Sequence, residues 1–342
     1  EIAEFNKLAK LKPLSMRFLN SLLFFLFILS CQAQTYSQNQ VLEDLDFLAI
    51  NLKKYNPGLE LFNPQFDSLF QEIRTEVKGD YNALAHFKTM AKAAALAKEG
   101  HMRLGKWSDT IHNGFNQNRY KFLPFKVKVI DNEIFVWKIY SHEQEINDGD
   151  KILSINGKTS SEIISEIRSC LFIDGDIESN LHQKLNNGFA YLYFLYVEQS
   201  PAFEIEYSFS DGDRIAKTKM RALNKAQMVK NYKIQYGVNE EKKTQLGNDV
   251  YYYNIEKGRA TLRLKTFNRA KLKKEKVKSK KFYKKIFKEL KTKNITNLII
   301  DLRGNTGGRT EMAEDILPFI LKEDSTRLYR TSISWKGKTK EF

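Results

Sequence analysis

Two cysteines in 342 residues leave no material for a disulfide framework. Cys31 closes a leader-like stretch. Cys170 then has no partner within the chain, unless Cys31 persists uncleaved and unlipidated, so the fold must rest on its core. Of the five histidines, His86, His112, His142 and His182 show no metal-ligand spacing and no shared motif, and His101 stands apart from them. No metal and no organic cofactor is therefore expected. The glycine-rich string Gly304-Asn-Thr-Gly-Gly-Arg-Thr310 lacks the Gly-Lys-Ser/Thr of a P-loop, and its spacing is not the Gly-x-Gly-x-x-Gly of a dinucleotide site. The net charge of +15 comes without a nucleic-acid recognition motif, so nucleic acid is not an expected partner. The apolar run Leu19 to Leu29 is interrupted by Asn20 and Ser21 and is too short to span a bilayer.

What is present describes a globular protein of two or three domains, 42% hydrophobic with a mean hydropathy of −0.49. Residue 1 is Glu, and Met16 is the better start. From there Arg17 supplies a positive n-region, Leu19 to Leu29 an apolar h-region, and Ser30-Cys31-Gln32-Ala33 the small residues of a cleavage site. Residues 1–34 thus read as pre-sequence and signal peptide. Two processing routes stay open. Ile28-Leu29-Ser30-Cys31 resembles a bacterial lipobox, which would lipidate Cys31 and attach the protein to a membrane. Cys31-Gln32-Ala33 also suits ordinary cleavage after Ala33. Either route implies export, to the periplasm or cell envelope.

Residues 35–110 read as a helical domain. Val41 to Tyr55 carries apolar residues at helical spacing and stops at Asn56-Pro57-Gly58. Asp67 to Val77 and the alanine-rich Ala83 to Lys98 are two further helices. His101 follows the last of them in Glu99-Gly100-His101-Met102, and a loop histidine there is incidental unless its surroundings recruit it. From Lys121 to Tyr140 the chain alternates around Asp131-Asn132, predicting a β-hairpin. Gly149-Asp-Lys-Ile-Leu-Ser-Ile-Asn-Gly-Lys158 holds a short apolar strand between two turns. Ser160 or Ser161 is expected to cap the helix that follows. Residues 171–249 are a connecting β and irregular region, polar and exposed after 224. Beyond 250, Val250 to Ile255 and Ala260 to Leu264 read as strands. Lys271 to Lys293 reads as an amphipathic helix whose lysines cover its solvated face; the other reading of those lysines is a surface for anionic lipid.

The stretch that organises the chain is Asn297 to Pro318. Leu298, Ile299 and Ile300 predict a strand buried on both faces, ending at Asp301. Gly304, Gly307 and Gly308 follow, then a helix expected to be capped by Thr310 with Glu311 and Glu314 in its first turn. Strand, glycine loop and helix start converge backbone N–H groups on an anion; the alternative is a tight turn without chemistry.

The string Asp301-Leu-Arg-Gly-Asn-Thr-Gly-Gly308 resembles the core motif of the C-terminal processing, or tail-specific, serine peptidases, tricorn core included. The resemblance implies a fold of the α+β multidomain type: an N-terminal helical domain, a PDZ-like β domain over 118–170, and an incomplete crotonase-like α/β catalytic core over 250–342. It implies an oxyanion donor at Gly307 or Gly308 and a general base at His101, with Glu99 and Met102 departing from the family's residues around that histidine. The Gly149–Lys158 string resembles the family's PDZ domains, which bind an extended peptide end by strand addition. The implied partner is a polypeptide substrate, recognised through its C-terminus. The family's nucleophile opens a helix in a Ser-Ala-x-Glu-like context, and Ser325, Ser332 and Ser334 do not stand in one. The chain is thus expected to be inactive alone, an incomplete fragment of a serine-type endopeptidase lacking the nucleophile. The rival expectation is a non-catalytic peptide- or ligand-binding protein on the same scaffold.

Overall fold

The computed structural model describes residues 35–102, 104, 111, 114, 117–141, 146–210, 212, 214–237, 246–247, 250–321, 332–335 and 338–341. The leader-like stretch with Cys31, and His112, His142 and Ser325, lie outside them. The chain divides into two compact units, Glu1–Val238 and Asn239–Phe342.

The first unit begins with β1 (Thr35–Tyr36) and α1 (Gln38–Tyr55), whose start is fixed by a reciprocal capping box between Ser37 and Gln40. Next come α2 (Leu59–Phe62), α3 (Phe66–Glu76), β2 (Tyr81–Asn82) and α4 (Ala83–Ala95). Val41 and Leu45 of α1 meet Phe66, Phe70 and Ile73 of α3 and Ala93 of α4 in one apolar cluster. Burying each of the large side chains contributes roughly 1.5–3 kcal/mol. Helix α4 stops at Ala95 rather than at Lys98: the N–H groups of Leu96, Ala97 and Lys98 donate three residues back, to the Ala93, Ala94 and Ala95 carbonyls, and Lys98 then turns the chain at a positive φ of 49°. His86 is buried on α4 with Nε2 3.0 Å from Asp44. Burial pushes its pKa down, and the Asp44 carboxylate opposes that shift.

The hairpin of β3 (Phe125–Ile130) and β4 (Glu133–Ile139) turns on Asp131 and Asn132, both at positive φ, as a two-residue turn requires. Then follow β5 (Lys151–Ile155), β6 (Lys158–Thr159) and α5 (Ser160–Arg168). Neither Ser160 nor Ser161 caps α5. Thr159 holds the extended cap conformation and exchanges bonds with Glu162, while the Ser160 hydroxyl donates to the Ile152 carbonyl at 2.6 Å. Helix α6 (Glu178–Tyr196) packs along β3 and kinks at Gly188. The sheet continues past residue 170, since β5 pairs with β7 (Ala202–Ser208), which pairs with β8 (Ile215–Arg221). The path β3-β4-β5-β7-β8 is antiparallel, with β6 on β5. Cys170 is a free thiol buried in the core beneath it. Residues after 224 are exposed as expected but are not irregular: Lys225–Tyr236 is a helix, α7, opened by an Asn224–Gln227 capping box. None of its residues is buried, so no apolar stripe marks it.

The second unit holds a four-stranded sheet in the order β12-β11-β10-β9, formed by β9 (Leu246–Gly247), β10 (Tyr251–Glu256), β11 (Arg259–Leu264) and β12 (Asn297–Asp301). β11 and β12 are parallel, joined through α8 (Arg269–Lys274) and α9 (Ser279–Thr292). Tyr283, Ile286 and Leu290 of α9 are buried with Tyr251, Leu262 and Leu264, leaving the lysines outward. β12 is not buried on both faces. It ends the sheet path, and Ile299 is 45% exposed. Two short helices follow, α10 (Thr310–Glu314) and α11 (Leu317–Ile320), then a hairpin of β13 (Ser332–Trp335) and β14 (Lys338–Glu341). Thr310 is the first helical residue of α10, not its cap; Arg309 holds the cap position without a side-chain bond. Among the described residues, no helix is long and apolar enough to cross a membrane.

Candidate active site

His101 lies in the turn after α4, its side chain 93% exposed. Three contacts shape that turn. Asp174 Oδ1 accepts the Gly100 N–H at 2.6 Å, and the Gly175 N–H donates to the Lys98 carbonyl at 3.0 Å. A Cβ on Gly100 would meet the Asp174 carboxyl at 2.8 Å and push aside the carboxylate that accepts the Gly100 N–H. Glu99 Oε1 then takes the His101 N–H at 3.0 Å and lies 3.3 Å from His101 Nδ1. A carboxylate beside Nδ1 favours the tautomer protonated there and leaves Nε2 as the basic nitrogen, facing solvent. Glu99, His101 and Asp174 each bring one ligand-type atom within 4.8 Å of the others, a spacing that can also hold a cation.

The second constellation is the loop after β12. Asp301 is buried, and the Arg303 guanidinium grips both its oxygens, Nε to Oδ1 at 2.9 Å and Nη2 to Oδ2 at 2.8 Å. Arg263 from β11 adds Nη1 at 3.5 Å and donates through Nη2 to the Arg303 carbonyl at 3.3 Å. The Arg303 hydrogen bonds hold the Asp301 carboxyl well below the usual carboxylate range, against the opposing effect of burial. Asn305 pins the loop to the end of β11, donating to the Leu264 carbonyl at 2.8 Å and accepting the Gly307 N–H at 2.7 Å.

Gly308 is where the loop comes closest to the sheet. The Phe267 N–H donates to the Gly307 carbonyl at 2.9 Å, and the Arg309 N–H donates to the Phe267 carbonyl at 2.9 Å. Gly308 sits between these bonds at φ 149°, and a Cβ there would fall 2.0 Å from the Phe267 carbonyl carbon. Its own N–H has no acceptor among the described residues. The loop therefore separates the two expected oxyanion donors: the Gly307 N–H is spent on Asn305, and the Gly308 N–H is open. His101 belongs to the first unit, Gly307 and Gly308 to the second.

Residues 259–339, from β11 into β14, match the model of Peptidase family S41. No curated protein matches the chain. Among solved structures, mature CPAF complexed with lactacystin is 14% identical, with 82% of this chain and 59% of that one covered and a TM-score of 0.50. A serine-to-alanine mutant of CPAF is also 14% identical, with 80% and 57% covered and the same TM-score of 0.50. At this identity the likeness is one of fold. The chain spans just under three-fifths of the length of these structures. It is a mixed helix-and-sheet protein with a fold like that of CPAF, and a segment of its second unit matches the model of Peptidase family S41.

Motif reasoning reached His101, Gly307 and Gly308 but gave no role to Glu99 or Asp174. Glu99 stands two residues before the histidine, within its local sequence. Asp174 is 74 residues from Gly100, and no local spacing links them.

Proposed function

We propose that this chain carries the oxyanion loop and the general base of an exported serine-type peptidase working through an acyl-enzyme. One observation carries the reading: an open Gly308 N–H, held by a pinned loop, within the segment that matches Peptidase family S41. A serine hydroxyl attacks the peptide carbonyl and its proton passes to His101 Nε2. The carbonyl oxygen, now anionic, takes the Gly308 N–H; one such donor is worth roughly 3–4 kcal/mol in the transition state. Collapse expels the amine, which takes the proton from His101, and water then hydrolyses the acyl ester. Glu99 keeps the imidazole oriented throughout.

No serine of the 342 residues stands in the Ser-Ala-x-Glu-like context that the family uses. We therefore infer that the nucleophile is not among them and that the chain alone does not turn over peptide. A fluorophosphonate, which labels only an activated serine, tests this. The full-length natural protein should acquire one adduct by mass spectrometry and the 342-residue chain none. A stoichiometric adduct on a serine of the chain would contradict the inference.

The groove between β3 and α6 supports the finer reading of a PDZ-like module that receives the C-terminal end of a polypeptide. It equally suits a non-catalytic peptide-binding protein, and the same labelling experiment separates the two.

A further inference from the structure

Between the outer edge of β3 and helix α6 lies a groove of about 470 Å³, lined by Phe125, Val127, Phe189 and Tyr191, with Lys126 and Lys225 also facing it. Lys225 makes no ion pair among the described residues, whereas the Lys126 ammonium lies over the Trp137 and Tyr232 rings, 6.0 and 5.7 Å from their centroids. The strand β3 has a single sheet neighbour, β4. Register fixes which of its backbone groups face the groove. Val136, opposite Val127, spends both its groups toward β5, its N–H on the Asp150 carbonyl at 2.8 Å and its carbonyl on the Gly149 N–H at 2.7 Å. Val127 therefore sits in a pair that exchanges no hydrogen bonds, and its N–H and C=O point away from β4. They have no partner among the described residues, so an extended peptide could pair there.

Val129 has the same parity, but its position is already filled. Its N–H donates to Asn186 Oδ1 at 2.7 Å. Asn186 sits on α6 two residues before the Gly188 kink, where φ is −143°. Strand addition along β3 can thus proceed at Phe125 and Val127 and meets an occupied donor at Val129. A longer peptide would have to displace Asn186 and exchange one hydrogen bond for another, with no net gain.

We propose that Asn186 is a specificity-determining residue of this groove. It closes the edge of β3 at Val129 and restricts recognition to about the last three residues of a polypeptide, those opposite Phe125 through Val127. The occupant is a chain end with an apolar last side chain and a free carboxylate. The apolar lining takes the side chain, the Val127 edge the backbone, and Lys225 complements the carboxylate. Pro124, which has no N–H, withholds one backbone donor from that end. This inference rests on the peptide-end reading given under Proposed function.

The test is titration of the 342-residue chain with peptides of three, five and eight residues that share one C-terminal sequence ending in leucine, each free and amidated. For the wild type, affinity should change less than about twofold from the shortest to the longest. Asn186→Ala exposes the Val129 N–H, and its eight-residue peptide should gain roughly two- to tenfold over the three-residue one. Asn186→Asp keeps an acceptor oxygen and should retain the flat profile. A wild-type affinity that climbs with length overturns the proposal, and it does so even if the alanine variant fails to fold. A flat profile in a folded alanine variant overturns it as well. Equal binding of free and amidated ends with the plateau intact would remove the carboxylate reading while upholding the role of Asn186. Binding by no peptide at all would overturn both.

Discussion

Replacing Gly308 by alanine puts one methyl group where the backbone of β11's extension already is. The Cβ would lie 2.0 Å from the Phe267 carbonyl carbon, 2.2 Å from its oxygen and 2.3 Å from the Asn268 nitrogen. These are backbone atoms and cannot rotate away. The loop must move out, which breaks the two hydrogen bonds that Phe267 shares with Gly307 and Arg309. Their loss costs about 1–3 kcal/mol in net terms, and a non-glycine residue at φ 149° adds roughly 1–3 kcal/mol of strain. The expected loss is therefore roughly 2–6 kcal/mol, confined to the second unit. Gly307 is the internal control. It also has positive φ, but nothing lies within 4 Å of its would-be Cβ, so Gly307→Ala should cost only about 1–2 kcal/mol. Hydrogen exchange with mass spectrometry reads the difference directly. Peptides covering 265–269 and 307–311 should lose protection in Gly308→Ala and largely keep it in Gly307→Ala. Equal protection in the two variants, or wild-type protection in Gly308→Ala, would refute the account of the loop.

Two further outcomes follow from the same loop. Asp301→Asn should destabilise the second unit at neutral pH by about 1–3 kcal/mol, since Arg263 and Arg303 lose a charged acceptor. Because the Asp301 carboxyl titrates below its unfolded value, its contribution is complete above about pH 4 and is lost as pH falls toward the folded pKa. Urea titrations of wild type and variant should thus diverge above pH 4 and converge in acid; a constant gap would count against the ion pairing. Asn305→Ala removes the tie to the Leu264 carbonyl and frees the Gly307 N–H, so exchange at Gly307 should speed up while that at Leu262 in β11 stays slow.

Where local patterns determined structure, the sequence was informative. The Phe125-Val127-Val129 alternation and the Asp131-Asn132 turn specify a hairpin by themselves, and the apolar stripe of Tyr283, Ile286 and Leu290 specifies α9. Helix α7 escaped because it buries no residue, leaving only its capping box as a signal. Thr159 displaced Ser160 as a cap because φ and ψ at that junction follow from the strand before it. The run Leu298 to Ile300 looked doubly buried, but apolar content does not say whether a strand is central or terminal in its sheet. In the loop, the glycines were legible as a motif. Which N–H remained open was not, because that depends on where the Asn305 side chain and Phe267 backbone fall.

The most direct test of the proposed chemistry is turnover of an unfolded polypeptide by the full-length natural protein carrying His101→Ala. His101 is exposed and outside every apolar cluster, so its removal should leave thermal unfolding unchanged within experimental error. Turnover should fall by about two to four orders of magnitude. Near-normal turnover in a fully folded variant would contradict the assignment of His101 as the base.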